Sequence, residues 1–341
     1  MTVDAHSHSH AHQIVFLEPG HAALEPITIP DDPLAPGEIV IRTIASLVSP
    51  GTEGASYQGL LMPSGKERTY PDTPGYANVG EVIATGDASG FAIGDRVFSM
   101  AKHVSHARLD VGRDLVERVP DGLAPEKAVF ARLAMVSMST FRTSPARMGD
   151  KVAVVGLGLV GNLAAQLAQI GGMETTAIDI IPWRTELATT CGIEHVLLAP
   201  DDAQLHRDHA LVIEATGTAA GAMTGIKLVQ RHGELSLVGS QWGKGTHSTD
   251  TLRLLGTIFE EYVHIRSGWE WQIPTLDTPF GPNAIALNAR AILRWLAQGR
   301  LVVDPLLSHV LSPADPNDAY GRVVTAKDSA LGIVFDWTML A

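Results

Sequence analysis

The sequence predicts an α/β protein, a doubly wound parallel sheet joined to a β-rich, barrel-like half. Three observations carry this expectation. Val152-Ala153-Val154-Val155 is a short apolar run entering Gly156-Leu157-Gly158-Leu159-Val160-Gly161, after which Leu163, Ala164, Leu167 and Ala168 share one helical face. A second β-prone run, residues 175–180, holds Asp179 18 positions after Gly161, so a complete strand–helix–strand unit fits. From Gln13 to Pro120, short β runs alternate with Pro and Gly turns.

The glycine stretch has the chemistry of a dinucleotide site; a glycine-rich turn without a nucleotide is the competing reading. Gly156 permits the tight turn, Gly158 lets backbone approach a pyrophosphate, and Gly161 lets helix and strand pack closely. Leu159 and Val160 open the helix, whose free N–H groups suit phosphate oxygens. Asp179 would accept hydrogen bonds from the adenosine ribose hydroxyls and repel a 2′-phosphate, which argues for NAD over NADP.

Composition narrows the class. A chain of 341 residues suits two domains with separate cores. A formal charge of −12 argues against nucleic acid or an anionic membrane as partners, because both need basic surface. Cys191 is the only cysteine, which excludes an intramolecular disulfide framework and a four-cysteine zinc site and favours a cytoplasmic address. The N-terminus is polar, unlike a signal peptide. Residues 152–170 are the most apolar stretch, but the glycines, Asn162, Gln166 and Gln169 make it a buried βα unit. A cytoplasmic enzyme acting on a small molecule is the expectation.

Taken in order, residues 1–12 form a tail with His6, His8, His10 and His12, either disordered or able to chelate a metal. Strands are expected at 14–17, 23–29, 38–48, 78–85, 96–99 and 106–111, and Pro120-Asp121-Gly122 closes this half. Residues 124–144 read as mostly helical. Beyond Asp179, strand 211–214 leads into Ala215-Thr216-Gly217, a helix covers 219–230, and strand 234–238 ends in Gly239-Ser240. Ligands of doubly wound sheets lie outside the carboxyl ends of the strands, which places Thr216, Gly217, Gly239 and Ser240 along a cofactor path. A last sheet strand is expected at 263–267, a helix at 289–296, and short β runs with one helix at 317–324 in the tail.

These pieces in this order resemble the medium-chain dehydrogenase/reductase superfamily from Gln13 to Trp337. The landmarks are Gly51-Thr52-Glu53, Pro74-Gly75-Tyr76, Gly94-Asp95-Arg96-Val97, Val119-Pro120-Asp121-Gly122, the glycine fingerprint, Leu307-Ser308-His309 and Asn317-Asp318-Ala319-Tyr320. The resemblance implies a chaperonin-10-like catalytic domain, residues 13–132 and 269–341, interrupted by a Rossmann NAD-binding domain, residues 133–268. It implies hydride transfer between an alcohol and nicotinamide, and pairing of Rossmann edge strands, here residues 260–266, into a homodimer or homotetramer. Arg184 matches a basic residue that contacts the ribose in NAD-using members; a solvated helix-start arginine is the alternative.

The departures from the family pattern are informative. Where zinc-dependent members carry a cysteine, a Gly-His-Glu and a second cysteine, this chain has Ser49, Gly75-Tyr76-Ala77 and a stretch read as apolar, Ala131 to Ala134. A zinc-independent member with no metal ligands is therefore expected. Zinc-free quinone and enone reductases usually prefer NADPH and lack the acid at Asp179. Ser49-Pro50-Gly51-Thr52-Glu53 and Pro74-Gly75-Tyr76 instead resemble the branch containing the bacteriochlorophyllide hydroxyethyl dehydrogenase.

Without a metal, side chains must move the proton and stabilise the alkoxide. Tyr76 is the leading candidate, with Glu53 or water as acceptor; filling the vacated metal volume is the alternative for the ring. Glu53 could instead anchor backbone amides, and Tyr57, His103 and Lys66 are further candidates. Ser49, Thr52, Trp242 and Trp269 are expected to meet substrate, with Trp271, Met62, Tyr70 and Phe280 in nearby loops. Aromatic walls suit a polyol, a sugar-type ring or another cyclic secondary alcohol, although core packing is the common fate of tryptophan. An NADH-dependent reductase of activated C=C bonds and a non-catalytic NAD(H)-binding protein are the competing functions.

Overall fold

A computed structural model describes residues 11–61, 66–239, 257–258 and 260–340. Strands β1 (Ala11–Glu18) and β2 (His21–Ile27) pair as an antiparallel ribbon. β3 (Glu38–Leu47), the short helix α1 (Thr52–Tyr57), β4 (Asn78–Thr85), β5 (Arg96–Ser99), β6 (His106–Asp110) and β7 (Val116–Arg118) follow. Helices α2 (Pro125–Ala128) and α3 (Ala131–Thr143) carry the chain into β8 (Lys151–Val155), α4 (Leu159–Ile170), β9 (Glu174–Asp179), α5 (Pro182–Thr190) and β10 (His195–Leu198). Next come β11 (His209–Glu214), α6 (Ala219–Leu228), β12 (Val229–Leu237) and β13 (His264–Ser267). The chain returns through a 3₁₀ turn (Glu270–Gln272), α7 (Ile285–Ala297), β14 (Leu307–Leu311), α8 (Pro316–Thr325) and β15 (Gly332–Asp336).

Six strands form a parallel sheet in the order β10-β9-β8-β11-β12-β13. The order reverses between β8 and β11, which is the switch point of a doubly wound Rossmann sheet. The other sheet has seven strands, β14-β15-β3-β4-β5-β7 with β6 also on β3, and is antiparallel apart from β14 and β15. The protein is thus an α/β fold with a parallel Rossmann-like sheet and a β-rich partner, matching the predicted class.

Burial explains the elements. Val152, Ala153 and Val154 are wholly buried, as a strand covered on both faces requires. Helix α4 is enclosed nearly all round, because α3 packs on the side the sheet does not cover, and α7 packs on α3 within the same apolar core. Its polar Gln166 is satisfied inside, Nε2 donating to Asn162 Oδ1 at 2.8 Å and to the Val302 carbonyl at 2.9 Å, while the buried Asn162 Nδ2 has no hydrogen-bond partner. Cys191 joins this core, and burial pushes its thiol up to about 12.

Several boundaries differ from the sequence reading. β1 starts at Ala11, since the His12 amide donates to Ser105 Oγ at 2.8 Å and anchors the strand earlier than Gln13. His6, His8 and His10 lie outside the described residues, as do Met62, Ser240 and Trp242. The helix expected to run to residue 230 stops at Leu228, where Val229 already joins β12 beside His209. Helix α7 begins at Ile285, its buried face formed by Ile285, Ala289, Ile292, Leu293 and Leu296.

Candidate active site

At the carboxyl end of β8, the fingerprint folds as a cradle with an open face. A Cβ on Gly161 would sit 1.7 Å from the Gly156 carbonyl oxygen, so strand and helix meet only through glycine there. A Cβ on Gly158 would meet nothing within 4 Å, leaving its face free for a ligand. Helix α4 begins at Leu159 without a side-chain cap, and Val160 follows half-buried, so the first-turn amides are available.

Asp179 holds this turn in place. The Leu157 amide donates to its Oδ2 at 2.6 Å and the Ile181 amide to Oδ1 at 2.9 Å. Arg184 Nη1 stands 3.8 Å from Oδ2, and its buried Nε has no partner. On the far side of the switch point, the buried carboxylate of Glu214 accepts from the amides of Thr216 at 2.7 Å and Gly217 at 3.1 Å, and from the Thr216 hydroxyl. Burial raises its pKa, opposed by these donors. Gly239 packs against Gly217, where a Cβ would lie 2.2 Å from the Gly217 nitrogen. Glu214 had no assigned role in the sequence reading; its place at the end of an apolar strand, two residues before Thr216, was the available signal.

In the β-rich half, the loop after β3 and helix α1 place Ser49, Thr52 and Glu53. The Ser49 amide donates to Glu53 Oε1 at 3.1 Å. Tyr320 Oη donates to Glu53 Oε2 at 2.8 Å, and His103 Nε2 lies 2.9 Å from the same oxygen. His103 Nδ1 is 2.7 Å from Ser46 Oγ, which also accepts from Trp337 Nε1 at 2.8 Å. Glu53, His103 and Tyr320 are 3%, 0% and 0% exposed, so this network is sealed. Of the two readings of Glu53, proton acceptor or anchor of backbone amides, the bond from the Ser49 amide agrees with the anchor, and His103, an alternative proton carrier, is bound to the same carboxylate. Tyr57 sits below them, stacked on Tyr320 with ring centroids 5.3 Å apart and its hydroxyl donating to the Gly20 carbonyl at 2.7 Å. It does not reach Tyr76 because its hydroxyl is committed to the β1–β2 turn.

Tyr76 does face Ser49. Gly75, at φ +99°, allows this turn to press on His103, whose nitrogen would stand 2.4 Å from a Cβ. Tyr76 Oη donates to Ser49 Oγ at 2.5 Å. Its pKa is raised by burial and by the nearby Glu53 charge, while Arg132 and the hydroxyls of Ser49 and Thr52 pull it down. The net direction keeps the phenol protonated near neutral pH.

The stretch read as apolar, Ala131 to Ala134, corrects the sequence account. Arg132 lies within it, 3% exposed, with its guanidinium carbon 4.7 Å from the Tyr76 ring centroid. Nη1 and Nη2 donate to the two carboxylate oxygens of Glu270 at 2.8 and 2.5 Å. Neither residue was singled out from the sequence, because the pair spans 138 positions. Trp271 flanks the same guanidinium with its centroid at 5.9 Å, and Trp269 is 67% exposed. Lys66 and Phe280 are on the surface. Tyr70 donates its hydroxyl to the Ser56 carbonyl instead of facing a ligand. A groove of about 470 Å³ lined by Met100, Lys102, His106, Arg108 and Trp271 runs alongside, and neither Tyr76 nor Ser49 lines it.

Among the described residues, no group of three or more His, Cys, Asp or Glu could hold a metal ion. The groups that bond to or stack on Tyr76 are two hydroxyls and a guanidinium, and the nearby Glu53 carboxylate is already committed to the Ser49 amide, Tyr320 and His103. Among the described residues, no helix is long and apolar enough to cross a membrane.

Residues 160–267 match the zinc-binding dehydrogenase family. The chain is 25% identical over 336 residues to the 2-desacetyl-2-hydroxyethyl bacteriochlorophyllide A dehydrogenase of Rhodobacter capsulatus, covering 95% of this chain and 98% of that protein. In fold it is similar to galactitol-1-phosphate dehydrogenase from Escherichia coli, with a TM-score of 0.78, 18% identity and coverage of 95% and 99% of the two chains. It is also similar to acetophenone reductase from Geotrichum candidum, solved with NAD, with a TM-score of 0.76, 15% identity and coverage of 98% and 99%. With its two sheets, its glycine cradle and these likenesses, the chain is similar in fold to solved dehydrogenases and, over residues 160–267, in sequence to the zinc-binding dehydrogenases.

Proposed function

We propose that this protein is a zinc-independent, NAD-dependent oxidoreductase that interconverts a secondary alcohol and its ketone by hydride transfer. The observation that carries the reading is the Tyr76–Ser49 hydroxyl pair at 2.5 Å, in a chain that also folds an open glycine cradle suited to a dinucleotide. NAD, when bound, supplies the hydride acceptor. The residues suited to hold it are Gly156, Gly158, Leu159, Val160 and Gly161 around the pyrophosphate, Asp179 and Arg184 at the ribose, and Thr216, Gly217, Gly239 and Ser240 beyond. Asp179 favours the dinucleotide without a 2′-phosphate.

In ketone reduction, Tyr76 gives its proton to the substrate oxygen and Ser49 positions that oxygen by a second hydrogen bond. Glu53, through the Ser49 amide, fixes where the serine hydroxyl stands. Thr52 and Trp269 border the approach. The substrate is a polyol, a sugar-type ring or another cyclic secondary alcohol. The working unit is a cytoplasmic homodimer or homotetramer, with a catalytic domain of residues 13–132 and 269–341 and an NAD-binding domain of residues 133–268.

A panel of ketones, polyols and enones with NADH, NADPH and NAD tests this. The expected result is NADH-linked turnover of ketones, and a fall in kcat of about 10²- to 10⁴-fold in Tyr76→Phe. NADH consumption with enones and none with ketones would install the reductase of activated C=C bonds instead, a reading that the metal-poor donor set also favours. NADH binding without turnover across the panel would leave a binding protein.

A further inference from the structure

The Arg132–Glu270 pair sits at an unusual place in the chain. Arg132 opens α3, just as the chain leaves the seven-stranded sheet, and Glu270 opens the 3₁₀ turn through which the chain returns. Both side chains are buried, 3% and 3% exposed, and the contact is bidentate. A guanidinium paired on both nitrogens cannot rotate freely, so its plane is fixed over the Tyr76 ring.

As pure scaffolding this arrangement is costly. Two charges are withdrawn from water, and Arg132 Nε is buried with no hydrogen-bond partner. A pair of packed apolar side chains would join the two crossings at least as well. An explanation is needed for a cation there, and the neighbour it faces is the phenol that donates to Ser49 Oγ.

We propose that Arg132, locked by Glu270, is a positioning residue that keeps a fixed positive charge over the Tyr76 ring and stabilises the tyrosinate formed when Tyr76 protonates the substrate oxygen. This rests on the alcohol–ketone reading above. In reduction, a C–H bond forms at the carbonyl carbon as NADH becomes NAD⁺. The carbonyl oxygen takes the Tyr76 proton, and the phenolic O–H bond breaks. The tyrosinate is held by the Arg132 charge, and by Ser49 Oγ–H once the product oxygen has left that hydroxyl, until a proton from water restores it. In oxidation the same tyrosinate is the base.

The charges around Tyr76 make the direction definite. Glu53 on α1 opposes the tyrosinate, and Arg132 on α3 favours it. His103 is bound to Glu53, and Tyr320 on α8 is held neutral, its pKa raised well above the usual phenol range by burial and by Glu53. The Ser49 and Thr52 hydroxyls favour the tyrosinate as donors. Arg132 is therefore the cation that offsets Glu53.

The test compares the full-length enzyme with Arg132→Met/Glu270→Met, which removes both charges together, and with Arg132→Lys, which keeps one. A turnover-independent readout is the tyrosinate absorbance of Tyr76, taken as the difference from Tyr76→Phe during rapid pH jumps. In the double variant that band is expected to shift by a pH unit or more to the alkaline side, with NADH affinity retained. For a ketone turned over by the parent, kcat is expected to fall about 10²-fold with KM little changed. Its oxidative rate should continue to rise to higher pH than in the parent, and Arg132→Lys should recover much of the loss. A double variant whose Tyr76 band and pH profile match the parent, with only thermal stability altered, overturns the proposal and leaves a structural strut. A shifted band in an enzyme inactive on every ketone and alcohol supports the charge effect while overturning the proposed reaction.

Discussion

Glu53 accepts from the Ser49 amide and from Tyr320 and shares a hydrogen bond with His103, so its carboxylate meets donors from three separate stretches of chain. Glu53→Gln would turn an NH₂ toward one of those donors and leave a buried group unsatisfied. The expected cost is about 2 kcal/mol or more in urea unfolding, accompanied by lower kcat as Ser49 loses its anchor. If Gln at this position unfolds with the parent's midpoint, the network is not holding the turn. The sequence marked Glu53 and His103 as chemically able, which they are. It could not show that Tyr320 and Trp337 fold back over them, because nothing in local spacing reports a contact across 267 positions. Arg132 escaped notice for the same reason: a single arginine amid apolar residues gains meaning only beside Tyr76 and Glu270.

At the scale of elements, β11 carries a titratable group at the start of a central strand. His209 is buried, with Nδ1 3.3 Å from the Leu228 carbonyl and Nε2 3.2 Å from Thr176 Oγ1. Burial lowers its pKa from 6.5, against the opposing pull of Asp208. Because the folded value lies below the unfolded one, the unfolded chain takes up the proton first as pH falls. Stability from this group is therefore complete above about pH 6.5 and declines below it. Unfolding midpoints at pH 7.5 and 5.5 should differ more in the parent than in His209→Gln; an equal difference would remove His209 as the cause. The β8–α4–β9 unit was legible because its strand is covered on both faces and its glycines serve a local turn. β10 was not, since His195–Leu198 is only partly covered and shows no apolar alternation. The start of β12 was misread as helix because Val229 and Gln230 have no intrinsic mark separating a helix end from a strand start.

For the whole molecule, the six-stranded sheet ends at β13, whose outer backbone edge has no partner strand among the described residues. Ile265 is 36% exposed there and Tyr262, just before the strand, is 54% exposed. An open edge bearing apolar side chains calls for a cover. A second copy of the chain is expected to supply it, so sedimentation should give a dimer or tetramer, and Ile265→Lys should shift the distribution toward monomer. A monomeric parent at micromolar concentration would refute this. The two-sheet plan was readable because turn residues and apolar runs recur at fixed order along the chain. The closing of the crossing points by one ion pair was not, being a matter of what the chain meets on its way back. Cys191 has a further bearing on how these ideas are examined. The protein's one thiol is withdrawn into the core and pushed up to about 12, so it is a silent background for maleimide chemistry. Cysteines introduced at Met148 and Phe280, 81% and 96% exposed, would be the reactive thiols, and a dye pair attached to them could follow the distance between two surface sites while cofactor binds.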